Sequence, residues 1–309
     1  MALLPFLRRA TSALSLGAIV VAVSEFWFYP VEEEVGHLGI LLAYGGLAWI
    51  FLAVWSRLRV RAESIIVAAA LLGFLIEGVP VPVLYSAPPF TILWTSLAWH
   101  MLISVLLGWL AVRRALAGSR VMAASVCAAF GLGLGIWNAY TWSAIEAPLG
   151  IVFAWRPTSD FAAQVVVGYA LFLGGHLGAD RLLRTPPDIP TAEAWTLAAL
   201  GTLVALATAV GSGLWATAWI LPIAVLACLW VLRRDLALRP RAAPDPIASA
   251  PIPLGRWTIT LLTPAGAIAA YATMSHLRLE LEANVALILT AGPLSLWLLG
   301  RAIWACLRR

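Results

Sequence analysis

Ten stretches of the chain run apolar for roughly twenty residues, the length a helix needs to cross the hydrocarbon core of a bilayer. They cover about 12–30, 38–56, 65–83, 90–112, 121–142, 161–178, 193–211, 214–232, 257–276 and 284–305. Polar and charged positions collect in the short segments between them. The pattern predicts an all-α fold, a polytopic transmembrane helix bundle of about ten spans. The seventh and eighth stretches read as a hairpin turning at Gly211-Ser212-Gly213. The first follows Arg8-Arg9 and continues through Phe26-Trp27-Phe28-Tyr29 without a small-x-small cleavage site. It therefore reads as a retained membrane helix with an arginine anchor rather than a removed leader.

Charge orients the bundle. The 20 basic residues are all arginine. With the N-terminus inside and the spans alternating, eighteen arginines fall inside and only two, Arg156 and Arg278, outside. A miscount of one span would scramble that division, so the excess of inside arginine supports an even number of spans with both termini cytoplasmic in a bacterial-type inner (plasma) membrane. The acids lean outward: Glu32, Glu33, Glu34, Glu146, Asp160, Glu280 and Glu282. Segment 233–256 is the longest loop and is rich in proline and alanine, as an extended linker is. The chain divides into a six-helix region, 1–185, that carries most of the intramembrane polar residues, and an apolar four-helix region, 186–309.

Composition narrows the function classes. The chain is 62% hydrophobic and 11% charged, against roughly 25% charged in soluble domains. The bilayer is its expected partner. A pI near 9.6 could point to nucleic acid, but the arginines flank apolar runs instead of forming a basic face, so no nucleic-acid partner is expected. Cys127, Cys228 and Cys306 all sit inside apolar runs with no CxxC or Cys/His cluster, which argues against a metal site. No Walker or Rossmann pattern occurs, and no cofactor is expected.

Ionisable groups inside a membrane are costly and mark candidate sites. Glu77 lies about 18 Å into the third span at 1.5 Å per residue. Pro80 and Pro82 follow it, and two prolines spaced by one residue cannot continue a helix. The span should therefore break at Pro80, and broken backbone at membrane depth is tolerated only inside protein or beside a cavity. His100 lies roughly 15 Å into the fourth span from the outside. Ser96, His100 and Ser104 share a face by i, i+4 spacing. Similar depth and a short connecting loop predict a Glu77–His100 hydrogen bond, with the two as the catalytic or coupling pair.

Glu25, Trp94, Trp99, Asn138, Tyr140 and Gln164 lie in the same outer half and are the expected substrate-binding residues of one outward-facing pocket. Trp49 is also deep enough to line it. His176 and Asp180 read as an i, i+4 surface ion pair. Gly131, Gly133 and Gly135, with a GxxxG from Gly131 to Gly135, read as a seam for close helix packing.

Three functions fit. About 300 residues, ten helices and both termini inside resemble the drug/metabolite exporter architecture, and that likeness implies a transporter of a small or amphipathic molecule. A membrane enzyme using the Glu/His pair as general acid and base on a lipid or isoprenoid substrate is the alternative. A non-catalytic subunit or assembly factor of a membrane complex is the third. Oligomeric state is not readable from the chain.

Overall fold

The computed structural model describes residues 3–27, 36–139, 155–184, 187–239, 251–279, 281 and 283–308. Tyr140, Glu32 to Glu34, Glu146, Glu280, Glu282 and residues 240–250 of the proline-rich linker lie outside the described residues. Among the described residues the structure is helical throughout. Eight helices are long and apolar enough to cross a membrane, as expected of a multi-spanning membrane protein.

In chain order, α1 covers Leu3–Phe26, α2 His37–Leu58 and α3 Ile65–Gly78. A single helical turn, α4 (Val83–Ser86), leads into α5, Ile92–Ala117. Then come α6 (Arg120–Asn138), α7 (Thr158–Leu182) and α8 (Thr191–Gly211). The last three are α9 (Ile220–Leu238), α10 (Leu262–Leu277) and α11 (Ala283–Leu307). A 3₁₀ stretch, Leu254–Leu261, feeds α10. Between α8 and α9 the chain turns through Gly213, whose φ of 73° suits a residue without Cβ. Every one of the ten apolar stretches thus falls on a helix. α3 is shorter than its apolar run: it ends at Gly78, just before Pro80, because Pro80 and Pro82 cannot donate to the helical ladder.

One end of the bundle is laced by arginine. Arg9 makes a two-pronged pair with Glu193, at 2.9 and 2.7 Å, joining the start of α1 to the start of α8. Arg57 donates to the carbonyl of Ile189. Arg61 pairs with Asp235 at the end of α9, which also holds Arg239 at 2.7 Å. Arg256 donates to the carbonyls of Leu116 and Gly118. The starts of α1, α3, α6 and α8 and the ends of α2, α5, α9 and α11 therefore meet on one side, and the helices alternate in direction. The Arg9 and Glu193 side chains are 14% and 18% accessible, and Asp235 is only 2% accessible.

Glycines set the closest approaches. A Cβ on Gly17 would lie 2.6 Å from the amide nitrogen of Gly45, so α1 and α2 touch backbone to backbone. Gly131 and Gly135 of α6 meet the carbonyls of Thr263 and Ala267 on α10, whereas Gly133 faces open space. The seam is therefore the Gly131-to-Gly135 pair, as one helical face requires. α8 lies along α2, α9 along α3, α11 along α5, and α10 along α6 and α7, so the last four helices are built onto the first six.

The His176–Asp180 expectation is corrected by the packing of α7. Both residues are buried. Asp180 pairs with Arg113 of α5, and His176 Nε2 contacts the carbonyl of Gly108 at 3.0 Å while its ring packs on Phe172. α7 presents this face to the bundle interior, where each group finds a partner on α5 instead of on its own helix.

Candidate functional site

Glu77 owes its position to two neighbours in sequence. Gly73, one turn earlier on the same face, lets α3 settle against α5: a Cβ there would be 2.2 Å from the carbonyl oxygen of Ser96 and 3.3 Å from His100 Cβ. Pro80, three residues later, ends the helix and sends the chain sideways through Val81 and Pro82. The backbone groups released by the break are satisfied locally. The Tyr85 hydroxyl donates to the carbonyl of Gly78 at 2.5 Å, Thr91 Oγ1 to that of Leu84 at 3.1 Å and Thr217 Oγ1 to that of Tyr85 at 2.9 Å. The break is thus a finished structural corner, with Glu77 held just beneath it.

Glu77 Oε1 lies 2.6 Å from His100 Nε2. His100 is 1% accessible and Glu77 7%. The partner atoms, Glu77 Oε2 and His100 Nδ1, are buried with no hydrogen-bond partner, and so is Ser96 Oγ. A buried polar atom without a partner costs roughly 1–3 kcal/mol, and such atoms call for an explanation in terms of use. Ser96, His100 and Ser104 are all buried, so the polar stripe faces protein. Ser104 Oγ reaches back to the carbonyl of Trp99, five residues earlier. That reach fits the backbone here: Ile92–Ala111 is wound as a π-helix, with i→i+5 hydrogen bonds. The only other π segment among the described residues is Ala22–Phe26, which carries Glu25. Wide turns of this kind are frequent at functional sites.

A cavity of about 600 Å³ lies over this pair. Its depth is set by Glu77, Tyr44 and Trp99, which are buried, and its rim by Gly39 and Val81, which are exposed. Glu25, Trp94 and Thr95 complete the walls. The Tyr44 hydroxyl donates to Glu25 Oε1 in a short contact, and Ser24 Oγ lies 3.3 Å from it. The Trp99 indole donates to the carbonyl of Ser24 at 3.3 Å. Behind the lining, Trp94 stacks on Trp137 at 5.9 Å and Trp99 sits 5.1 Å from the same ring. The Tyr44 and His100 rings are 6.2 Å apart, so α1, α2, α3 and α5 all contribute to one site.

The expected site residues divide into two groups. Glu77, His100, Glu25, Trp94 and Trp99 come together here. Asn138 and Gln164 do not line the cavity. Asn138 Nδ2 donates to the carbonyl of Trp27 and Gln164 Nε2 to that of Phe26, both at 2.9 Å. Arg156 in turn donates to Gln164 Oε1 at 2.6 Å. The three close off the carbonyl end of α1, at the two residues that follow Glu25. Trp49 lies at the arginine-laced end, where its indole donates to Glu193 at 2.9 Å. Tyr44 and Ser24 were not expected at the site. Tyr44 lies seven residues into α2, or about 10 Å, a depth that matches Glu25 once the α1–α2 packing is known. Among the described residues no group of three or more His, Cys, Asp or Glu is placed to hold a metal ion.

A second cavity, of about 460 Å³, sits at the other end of α2 and is lined by Trp55, Ser56, Arg57, Arg59 and the 188–191 segment. On the α2 stretch leading back from it, Trp55 packs on Phe51 and on Trp109 of α5, all three 2% accessible or less and in mutual edge contact at 5.5 to 6.3 Å.

Comparison of the chain with family models, with curated proteins and with solved structures finds no match.

Proposed function

We propose that the protein is a transporter of a small or amphipathic molecule, spanning a bacterial-type inner membrane about ten times with both termini in the cytoplasm. The orientation rests on the arginine division and on the arginine-laced end of the bundle, which is read as cytoplasmic. The observation that carries the reading is the pair of cavities at opposite ends of α2. Residues 44 to 55 separate them by about 16 Å of helix, and on that face of α2 the interval holds Ala48 and the Phe51–Trp55–Trp109 cluster. In this reading the cavity over Glu77 is the outward-open site, the aromatic cluster is the closed inner gate, and the cavity at Arg57 is the exit.

Glu77 and His100 are the coupling pair. They sit at the closed end of the outer cavity, where a proton on the shared contact and a solute on Glu77 Oε2 compete for one carboxyl group. Glu25, Trp94 and Trp99 are the binding residues. Asn138 and Gln164, with Arg156, anchor the α1 end that carries Glu25.

The hydrogen-bonded Glu77–His100 pair beside a largely apolar cavity also supports the second reading, an acid–base enzyme acting on a lipid or isoprenoid. Labelling separates the two. The three native cysteines are buried, so a Thr95→Cys variant gives a single reactive position in the outer cavity. In sealed vesicles of each orientation, a transporter exposes it to an impermeant maleimide from both sides in turn, because both gated states are populated. Labelling from the outer side alone would end the transport reading and leave the enzyme.

A further inference from the structure

We infer that the cavity over Glu77 binds a monovalent organic cation with an apolar body, and that this is the class of solute carried. The inference rests on the transport reading for the word carried; the binding itself is argued from the site.

The lining holds two carboxyl groups, Glu25 and Glu77, on either side of Tyr44, and among the described lining residues there is no arginine. Glu25 is already engaged by the Tyr44 hydroxyl and Glu77 by His100, each through Oε1. Glu77 Oε2 is the atom left over: it is buried, belongs to a lining residue and has no hydrogen-bond partner. An apolar surround strengthens a charge contact there relative to water. An anion would face two carboxyl groups with no arginine or histidine among the described lining residues to offset them. A hard metal ion needs several oxygen or nitrogen ligands, and no group of three exists among the described residues.

The remainder of the wall suits a cation that is bulky and apolar. Trp94, Trp99 and Tyr44 offer aromatic faces within one cavity, and such faces attract cations through the ring quadrupole. Ile40, Ala43 and Val83 add aliphatic surface. A volume of about 600 Å³ accommodates a molecule of several rings. The rim at Gly39 and Val81 lies at the end of the bundle opposite the arginine lacing, so a cation approaches without passing the basic end.

The test uses purified full-length protein in detergent with tritiated tetraphenylphosphonium and, in separate samples because the two ions pair with each other, tritiated tetraphenylborate as an anion of the same shape. The expected result is saturable phosphonium binding and no saturable tetraphenylborate binding. Glu77→Gln and Glu25→Gln each weaken it by about tenfold, equivalent to about 1.4 kcal/mol. Trp94→Ala weakens it as well. Saturable tetraphenylborate binding as tight as that of the phosphonium, or no saturable phosphonium binding, overturns the inference without need of any variant. An unchanged affinity in the Glu77→Gln/Glu25→Gln double variant overturns it too. The outcomes also separate the two claims. Saturable binding with Thr95→Cys labelled from one side only removes transport and leaves the cation site. Two-sided labelling without phosphonium binding removes the cation class and leaves transport.

Discussion

Replacing Gly73 by alanine perturbs the seat of the Glu77–His100 pair without altering either ionisable group. The new Cβ would stand 2.2 Å from the carbonyl oxygen of Ser96. Carbon–oxygen contacts settle near about 3.3 Å, so α3 must retreat from α5 by about 1.1 Å. Carried one turn along to Glu77, the retreat stretches a 2.6 Å contact to about 3.7 Å, outside hydrogen-bond range. The unpaired carboxyl group costs about 1–3 kcal/mol. Crowding of a packed interface costs about 1–3 kcal/mol more. Alanine's better helix propensity returns about 1 kcal/mol. The net expectation is a destabilisation of about 1–5 kcal/mol. Gly133→Ala is the control, because its Cβ meets nothing within 4 Å and the propensity gain of about 0.5–1 kcal/mol stands alone. Thermal unfolding in detergent can be followed by a thiol-reactive dye, since the three cysteines are buried in the folded state. A Gly73→Ala protein that melts at or above the Gly133→Ala protein would refute the account of how Glu77 is seated.

Asp180→Ala leaves Arg113 buried without its carboxylate and should cost about 3–5 kcal/mol in detergent unfolding, whereas Arg113→Met with Asp180→Leu should be far milder; equal losses would show that the pair is not coupled. His100→Ala should lower the melting temperature, as Glu77 loses its partner at a cost of about 1–3 kcal/mol, while Glu77→Gln, which keeps the shape and still hydrogen-bonds, should preserve folded yield and abolish the tetraphenylphosphonium uptake of proteoliposomes in excess of that by protein-free liposomes. Full uptake by Glu77→Gln would remove the coupling role. In whole cells a Gly39→Cys variant should react with an impermeant maleimide and an Ala62→Cys variant should not; the reverse pattern would invert the topology.

The parts of the site that sequence revealed were those that depend on depth. Glu77 and His100 were matched by counting residues into adjacent spans, and the paired prolines marked where α3 stops. Depth says nothing about azimuth. Asn138 and Gln164 are at the right height but on the far side of α1, where they hold its carbonyl end, and Trp49 points to the opposite end of the bundle. Tyr44 was missed because a lone tyrosine near a helix start reads as an interfacial residue until α1 and α2 are seen to touch at Gly17 and Gly45. Asp180 was assigned to His176 by local spacing, yet its partner, Arg113, is 67 residues away. The π winding of α5 has no sequence signal of its own, because an apolar run without strong periodicity fits either pitch.

The partner spacing also bears on how the chain enters the bilayer as it is synthesised. An acidic residue raises the cost of inserting a span, by up to about 2.5–3.5 kcal/mol at the helix centre and by less toward its ends. Glu25 meets Tyr44 and Glu77 meets His100, 19 and 23 residues later, so each acid is accommodated by the next helix to emerge. α1 with α2, and α3 with α5, are therefore suited to leave the ribosome and partition as hairpins. Asp180 is the reverse case: Arg113 is already in place when α7 arrives, and the earlier helices act as the template for the later one.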